Sequence, residues 1–135
     1  MQYPPELLIL TLTCLMTVVM WLPYVAARAL TVGVSAALGN PSPAFASVAP
    51  WALRARQAHA NAVENLVVFA PLVLTAAFLN VSNSATLLAA KIYLAARVVH
   101  YVVYTAGIPV LRTLAFLAGF VSTLTFAIEI FSAYA

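Results

Sequence analysis

Charged residues are scarce in this chain. Of its 135 residues, six are Lys or Arg and three are Asp or Glu, whereas 65% are apolar. So few charges cannot cover the surface of a soluble domain of this length. The composition therefore excludes an ordinary soluble protein. The formal net charge is +3, but no basic face interleaved with aromatic residues is present, so no nucleic-acid partner is expected.

Cysteine is also nearly absent. The single one, Cys14, lies among Leu, Thr and Met. Because no neighbouring residue would activate its thiol, we interpret it as a small apolar filler rather than a reactive group. The pattern favours no metal site.

Long apolar runs are what the chain contains instead. Residues 7–27 and 65–90 carry no charge, and about 20 helical residues cross the core of a bilayer. The runs are continuous rather than alternating, which argues against a β-barrel. We predict four membrane-spanning helices, at roughly residues 6–29, 50–79, 84–106 and 112–134.

The turns between these spans predict how they are arranged. A Gly/Pro-rich loop follows the first span, and the tight turns "NVSNS" and "TAGIP" follow the second and third. Tight turns force neighbouring helices to run antiparallel. The sequence therefore predicts one all-α domain, an integral membrane four-helix bundle with up-down antiparallel topology.

The distribution of arginine predicts the orientation. Four arginines lie at the helix ends that the first and third loops join: Arg28, Arg54, Arg56 and Arg112. The second turn carries no charge, so the positive-inside rule places the other two loops in the cytoplasm and both termini outside. A multi-pass protein, of a bacterial inner membrane, is expected. The first span is not interpreted as a cleaved signal peptide, because its leader carries Glu6 and no basic residue.

Polar residues within the spans fall on two helix faces. On the second helix, spacings of three, four and three residues connect Arg54, Gln57, Asn61 and Glu64, with Asn65 beside them. On the third, spacings of four, three and four connect Tyr93, Arg97, His100 and Tyr104. Ionisable residues at this depth are costly and need partners. We therefore expect the two stripes to meet, with Glu64 and Arg97 as an ion pair.

Two interpretations of the stripes stay open. They could simply hold the helices together, but pairing Glu64 with Arg97 leaves the cations at the cytoplasmic end without an acid. Those cations are Arg28, Arg54, Arg56, His100 and Arg112. A surplus of this kind favours an anionic ligand, which could be a small molecule or the headgroups of membrane lipids. Lys91 is expected to reach the membrane interface, and Glu129 to contact headgroups or another helix.

Several of these residues together resemble the MAPEG family, the membrane-associated proteins in eicosanoid and glutathione metabolism. The resemblance rests on four features in order: Arg28 at the end of the first helix, "AHANAVEN" on the second, "RVVHYVVY" on the third, and Arg112 with Thr113 at the start of the fourth. It covers nearly the whole chain.

The resemblance implies a homotrimer that binds glutathione, as a substrate, between neighbouring protomers. Carried over by position, the residues that line or support this site are Arg28, Asn61, Glu64, His100 and Tyr104, with Arg97 paired to Glu64. Arg112 would face the thiol as the catalytic residue together with Tyr104, and Thr113 would lie near the sulfur. Gln57 departs from the pattern, because an arginine commonly grips a carboxylate of glutathione there. Arg54 or Arg56 is the expected substitute.

Chemistry supports the assignment of Arg112. An ordinary thiol has a pKa near 8.5, so under about one-tenth of it is thiolate at neutral pH. A nearby guanidinium, which stays protonated, would stabilise the thiolate. The first hypothesis is a glutathione transferase or peroxidase that acts on a lipophilic small molecule. The alternatives are a non-catalytic lipid-binding or accessory subunit and, less favoured, an ion or proton carrier.

Overall fold

The structure, a computed structural model, describes residues 3–40 and 48–135, and these residues form helices and no strands. The six helices are α1 (Pro5–Val19), α2 (Leu22–Val32), α3 (Val34–Leu38), α4 (Pro50–Phe78), α5 (Ser84–Ala106) and α6 (Pro109–Ser132). Four segments are long and apolar enough to cross a membrane: Pro5–Val32, Pro50–Phe78, Ser84–Ala106 and Pro109–Ser132. The predicted all-α, up-down, membrane-spanning four-helix bundle is thereby confirmed.

Proline explains two of the differences from the predicted spans. The first span is divided into α1 and α2, because the ring of Pro23 clashes with the carbonyl four residues earlier, at Val19, where α1 ends. The last helix begins at Pro109, three residues before Arg112. Proline is favoured in the first turn of a helix, where its missing N–H has no partner to lose.

The two tight turns have well-formed helix ends. Asn83 caps α5 by accepting from the backbone N–H of Ala85 (2.8 Å) and Thr86 (3.1 Å), while its own N–H donates to the Thr86 hydroxyl at 2.9 Å. At the other end of α5, Gly107 adopts a left-handed conformation with φ 82°. This conformation ends the helix and lets α6 start two residues later.

The aromatic core lies among α4, α5 and α6. Phe69 stacks on Tyr93 with ring centroids 3.6 Å apart, and Phe126 meets Phe69 edge-on at 5.5 Å. Cys14 packs against this cluster, as expected for an apolar filler.

The end of the bundle that holds the start of α1 and the α4–α5 turn also contains buried polar contacts. Glu6 is 3% exposed and accepts from the hydroxyls of Ser82 (3.0 Å) and Thr86 (2.5 Å). Glu129 accepts from the amide of Asn83 at 2.7 Å, so it makes an inter-helix contact. The opposite end, which we call the arginine end, holds the starts of α4 and α6 and the α5–α6 turn.

Candidate functional site

A cavity of about 280 Å³ opens among α4, α5 and α6 toward the arginine end. Its lining residues are Asn61, His100, Tyr104, Arg112, Thr113 and Phe116. The sequence predicts five of these six for the site, from three different spans. Phe116 is the addition. It lies one helical turn after Arg112 on the same face, but an aromatic residue in an apolar span carries no signal of its own.

Arg112 lies over an aromatic ring inside this cavity. Its guanidinium carbon is 4.6 Å from the centre of the Tyr104 ring, which is within the range of a cation–π interaction. The Tyr104 hydroxyl donates to the side-chain oxygen of Gln57 at 3.2 Å. His100 packs edge-on against the same ring, with centroids 5.4 Å apart. Tyr104 thus connects α4, α5 and α6 and supports Arg112 from below.

The Thr113 hydroxyl is less available as a hydrogen-bond donor than its position in the cavity suggests. It donates to the backbone oxygen of Pro109 at 3.1 Å, one turn earlier in α6. A hydroxyl has one hydrogen to donate, so in this arrangement Thr113 can only accept from a ligand. Thr113 therefore offers the cavity a hydrogen-bond acceptor in this structure.

Behind the cavity lies Arg97, which is only 1% exposed. It donates to the side-chain oxygen of Asn61 at 3.2 Å and to the backbone oxygen of Phe116 at 3.4 Å. Its guanidinium carbon lies 5.3 Å from the Tyr93 ring centre and 5.7 Å from that of Phe116. The cation is held by two neutral oxygens and two aromatic rings.

The prediction of an ion pair between Glu64 and Arg97 is wrong for the single chain, in which the structure describes both residues. Glu64 is exposed, and the guanidinium is bound by Asn61 instead. The reason is the rotation of α4 about its axis. Its buried face consists of Ala52, Ala55, Ala58, Ala62, Phe69, Val73 and Ala76. The polar stripe lies beside that face, so Asn61 reaches Arg97 at the edge while Glu64 points outward.

The remaining predicted residues lie around the cavity rather than in its wall. Arg54 donates through its Nε to the backbone oxygen of Thr105 at 2.9 Å, at the end of α5. Arg56 and Gln57, with Leu53 and Ala60, line a second cavity of about 290 Å³ on the outer face of α4. Gln57 lines the second cavity and accepts from Tyr104, which lines the first. Arg28 is half-buried on α2, which packs against α4, and it does not line either cavity.

Four helices long and apolar enough to cross a membrane, three of which enclose a polar, cationic cavity, define a multi-pass integral membrane protein with a candidate small-molecule site. The sequence model of the MAPEG family matches residues 7–132. The chain therefore belongs to the MAPEG family, the membrane proteins of glutathione and eicosanoid metabolism. Among individual curated proteins, none matches the chain significantly.

Proposed function

We propose that this protein is a membrane-bound glutathione-dependent transferase or peroxidase acting on lipophilic electrophiles. One observation carries the proposal: the cavity that collects five predicted site residues contains the guanidinium of Arg112 and no acidic side chain. A site of this composition suits an anion. Glutathione carries two carboxylates and, when reactive, a thiolate, so it fits both the charge of the cavity and the family.

Arg112 stabilises the thiolate in this mechanism. An opposite charge within about 4–6 Å lowers the pKa of a group such as a thiol by roughly 1–3 units. Arg112 remains protonated, so no general base is required once the thiol proton has passed to solvent. Tyr104 positions Arg112 through its ring, since its hydroxyl hydrogen is engaged by Gln57.

The reaction then needs only an electrophile from the bilayer. In transfer, the sulfur lone pair forms a C–S bond while a leaving group departs with the displaced electron pair, or an opening ring keeps that pair and takes a proton from water. In peroxide reduction, the thiolate attacks the terminal oxygen and the O–O bond breaks, which yields a glutathione sulfenic acid and an alkoxide that takes a proton from water to become the alcohol. A second glutathione reduces the sulfenic acid, which yields the disulfide and water.

Binding of glutathione's carboxylates falls to Arg56 in this proposal. The Nε of Arg54 is already engaged by the backbone of Thr105, and its guanidinium packs against Gly107. Arg56 is exposed and borders the second cavity beside Gln57. It can thus supply the charge that Gln57 lacks.

We propose a homotrimer whose neighbouring protomer completes the site. Glu64 is the middle residue of α4, about 21 Å from either helix end at 1.5 Å per residue, and it is exposed in the single chain. A carboxylate facing lipid at the bilayer centre costs at least about 2.5 kcal/mol on insertion scales. A protomer interface would remove Glu64 from lipid and could bring residues such as Arg28 to the cavity.

The arginine end faces the cytoplasm in this proposal, with both termini outside, because the positive-inside rule applies to Arg28, Arg54, Arg56 and Arg112. A bacterial inner membrane is the proposed location.

Purified protein in detergent, titrated with glutathione while the ultraviolet absorbance of thiolate is followed across pH, tests the function. The parent should form thiolate below the pH at which free glutathione does, and it should conjugate an aromatic electrophile. Arg112→Ala should lose both properties, Arg112→Lys should keep part of them, and Lys91→Met, an exposed cation on α5 away from the cavity, serves as the matched control. If calorimetry finds no glutathione binding in the parent, the accessory-subunit alternative takes its place.

A further inference from the structure

Asn65 lies behind the cavity and contacts Asn61, which lines it. The Nδ2 of Asn65 is 2.8 Å from the backbone oxygen of Asn61 and 3.3 Å from its side-chain oxygen. We infer that Asn65 is a positioning residue that, together with Arg97, turns the amide NH₂ of Asn61 toward the bound anion. This inference rests on the proposed function for the identity of that anion.

The orientation of the Asn61 amide follows from its two neighbours. Arg97 can only donate hydrogen bonds, and it contacts Asn61 at Oδ1, at 3.2 Å. Asn65 donates to the same atom from one turn along α4. Two donors from different helices therefore converge on Oδ1. A flipped amide would place its hydrogens against both donors, so the unflipped orientation is strongly preferred.

With Oδ1 held in this way, the NH₂ group of Asn61 is the part of the amide left for a ligand. This NH₂ group matters because the two hydroxyl groups of the cavity lining already donate elsewhere: Tyr104 donates to Gln57 and Thr113 to Pro109. Besides the ring of His100, the donors that remain in the cavity lining are Arg112 on α6 and Asn61 on α4. An anionic atom between them would be bound from two sides, and the nearby charge of Arg97 polarises the Asn61 amide further.

A threonine at position 65 isolates the contact that matters. Several threonines within the helices of this chain donate to the backbone oxygen four residues earlier, as Thr17 does to Thr13 (2.8 Å) and Thr123 to Gly119 (3.0 Å). Asn65→Thr should therefore keep the bond to the Asn61 backbone and remove the contact with Oδ1. Thermal unfolding should change little, which distinguishes positioning from a structural role.

Glutathione affinity, measured by calorimetry in a double-mutant cycle with Asn61→Ala, is the first test. Loss of one hydrogen-bond contact corresponds to roughly a 3- to 10-fold weaker affinity. We expect that loss for Asn65→Thr in the parent and no further loss in the Asn61→Ala background. An equal loss in both backgrounds, or none in the parent, would overturn the inference.

A second measurement does not depend on glutathione. The chain has five asparagines, so selective ¹⁵N-asparagine labelling gives five side-chain amide pairs, and Asn61→Ala identifies the Asn61 signals. We expect these signals to shift or broaden in Asn65→Thr, whereas the capping Asn83 should be unchanged. Unchanged Asn61 signals would refute the role of Asn65. If the parent binds no glutathione but the Asn61 signals still move, the proposed function fails while the positioning of Asn61 by Asn65 stands.

Discussion

The guanidinium of Arg97 occupies the space that a Cβ atom on Gly119 would need. A Cβ built there would lie 3.0 Å from both the Cζ and the Nε of Arg97, and closer still to Nη2. Gly119 is buried in α6 opposite the stripe of α5 that carries Arg97. Because glycine has no side chain, there is room for the buried Arg97 between α5 and α6.

Gly119→Ala should therefore destabilise the protein by about 1–3 kcal/mol through overpacking and should weaken ligand binding by displacing Arg97 from Asn61. Thermal unfolding in detergent measures the first effect. The cost should largely disappear in an Arg97→Ala background, where the space is free. Gly39→Ala is the control, since a Cβ there meets only backbone oxygens at 3.4 Å or more. A cost that persists without Arg97 would contradict this explanation.

Replacing Arg97 by Met should leave the free energy of unfolding unchanged or raise it. The buried cation has no carboxylate partner in the described chain, so its removal relieves a desolvation cost instead of stranding an opposite charge. Breaking a buried ion pair would instead cost about 3–5 kcal/mol. The unfolding free energies of Arg97→Met, Glu64→Gln and the double variant should be additive. Strong non-additivity would show that the two residues pair in the assembled protein.

Tyr104 should act through its ring. Tyr104→Phe keeps the surface under Arg112 and removes only the bond to Gln57, so the pH at which bound glutathione becomes thiolate should stay close to that of the parent. Tyr104→Leu removes the cation–π contact, which is worth about 0.5–2 kcal/mol, and should move that pH upward. Equal effects of the two variants would assign the role to the hydroxyl instead.

The carboxylate site should depend on Arg56 more than on Arg54. Arg56→Ala should weaken glutathione binding about 10-fold or more, as expected for a lost charge-assisted hydrogen bond of roughly 1.5–3 kcal/mol. Gln57→Arg should strengthen binding in calorimetry. Arg54→Ala should chiefly lower thermal stability, because it removes the contact with the end of α5. A larger affinity loss in Arg54→Ala would reverse the assignment.

The protein should be a trimer by native mass spectrometry. Glutathione should bind to the trimer and not to monomers released by harsher detergent, because the proposed site needs two protomers. A stable monomer with full affinity would exclude the shared site.

The fold could be predicted from local features of the sequence. The scarcity of charge, the continuous apolar runs and the two tight turns are local properties that do not depend on contacts between helices. Four antiparallel spans therefore followed from them. The family and the set of candidate site residues followed from a resemblance in motifs and in their order along the chain, whereas helical spacing showed only which residues share a face. Asn61, His100, Tyr104, Arg112 and Thr113 were all expected together.

Which members of each face meet depends on how the helices pack against one another. Spacing fixes the angle between residues on one helix but not the rotation of that helix against its neighbours. That rotation is set by packing: the alanines of α4 and the room left by Gly119 bring Arg97 to Asn61 and leave Glu64 on the outer surface. Likewise, the hydroxyl hydrogens of Tyr104 and Thr113 are engaged by partners that their own positions in the sequence could not identify. A hydrogen bond forms only when donor and acceptor are placed to within a few tenths of an ångström, and helix packing sets that placement.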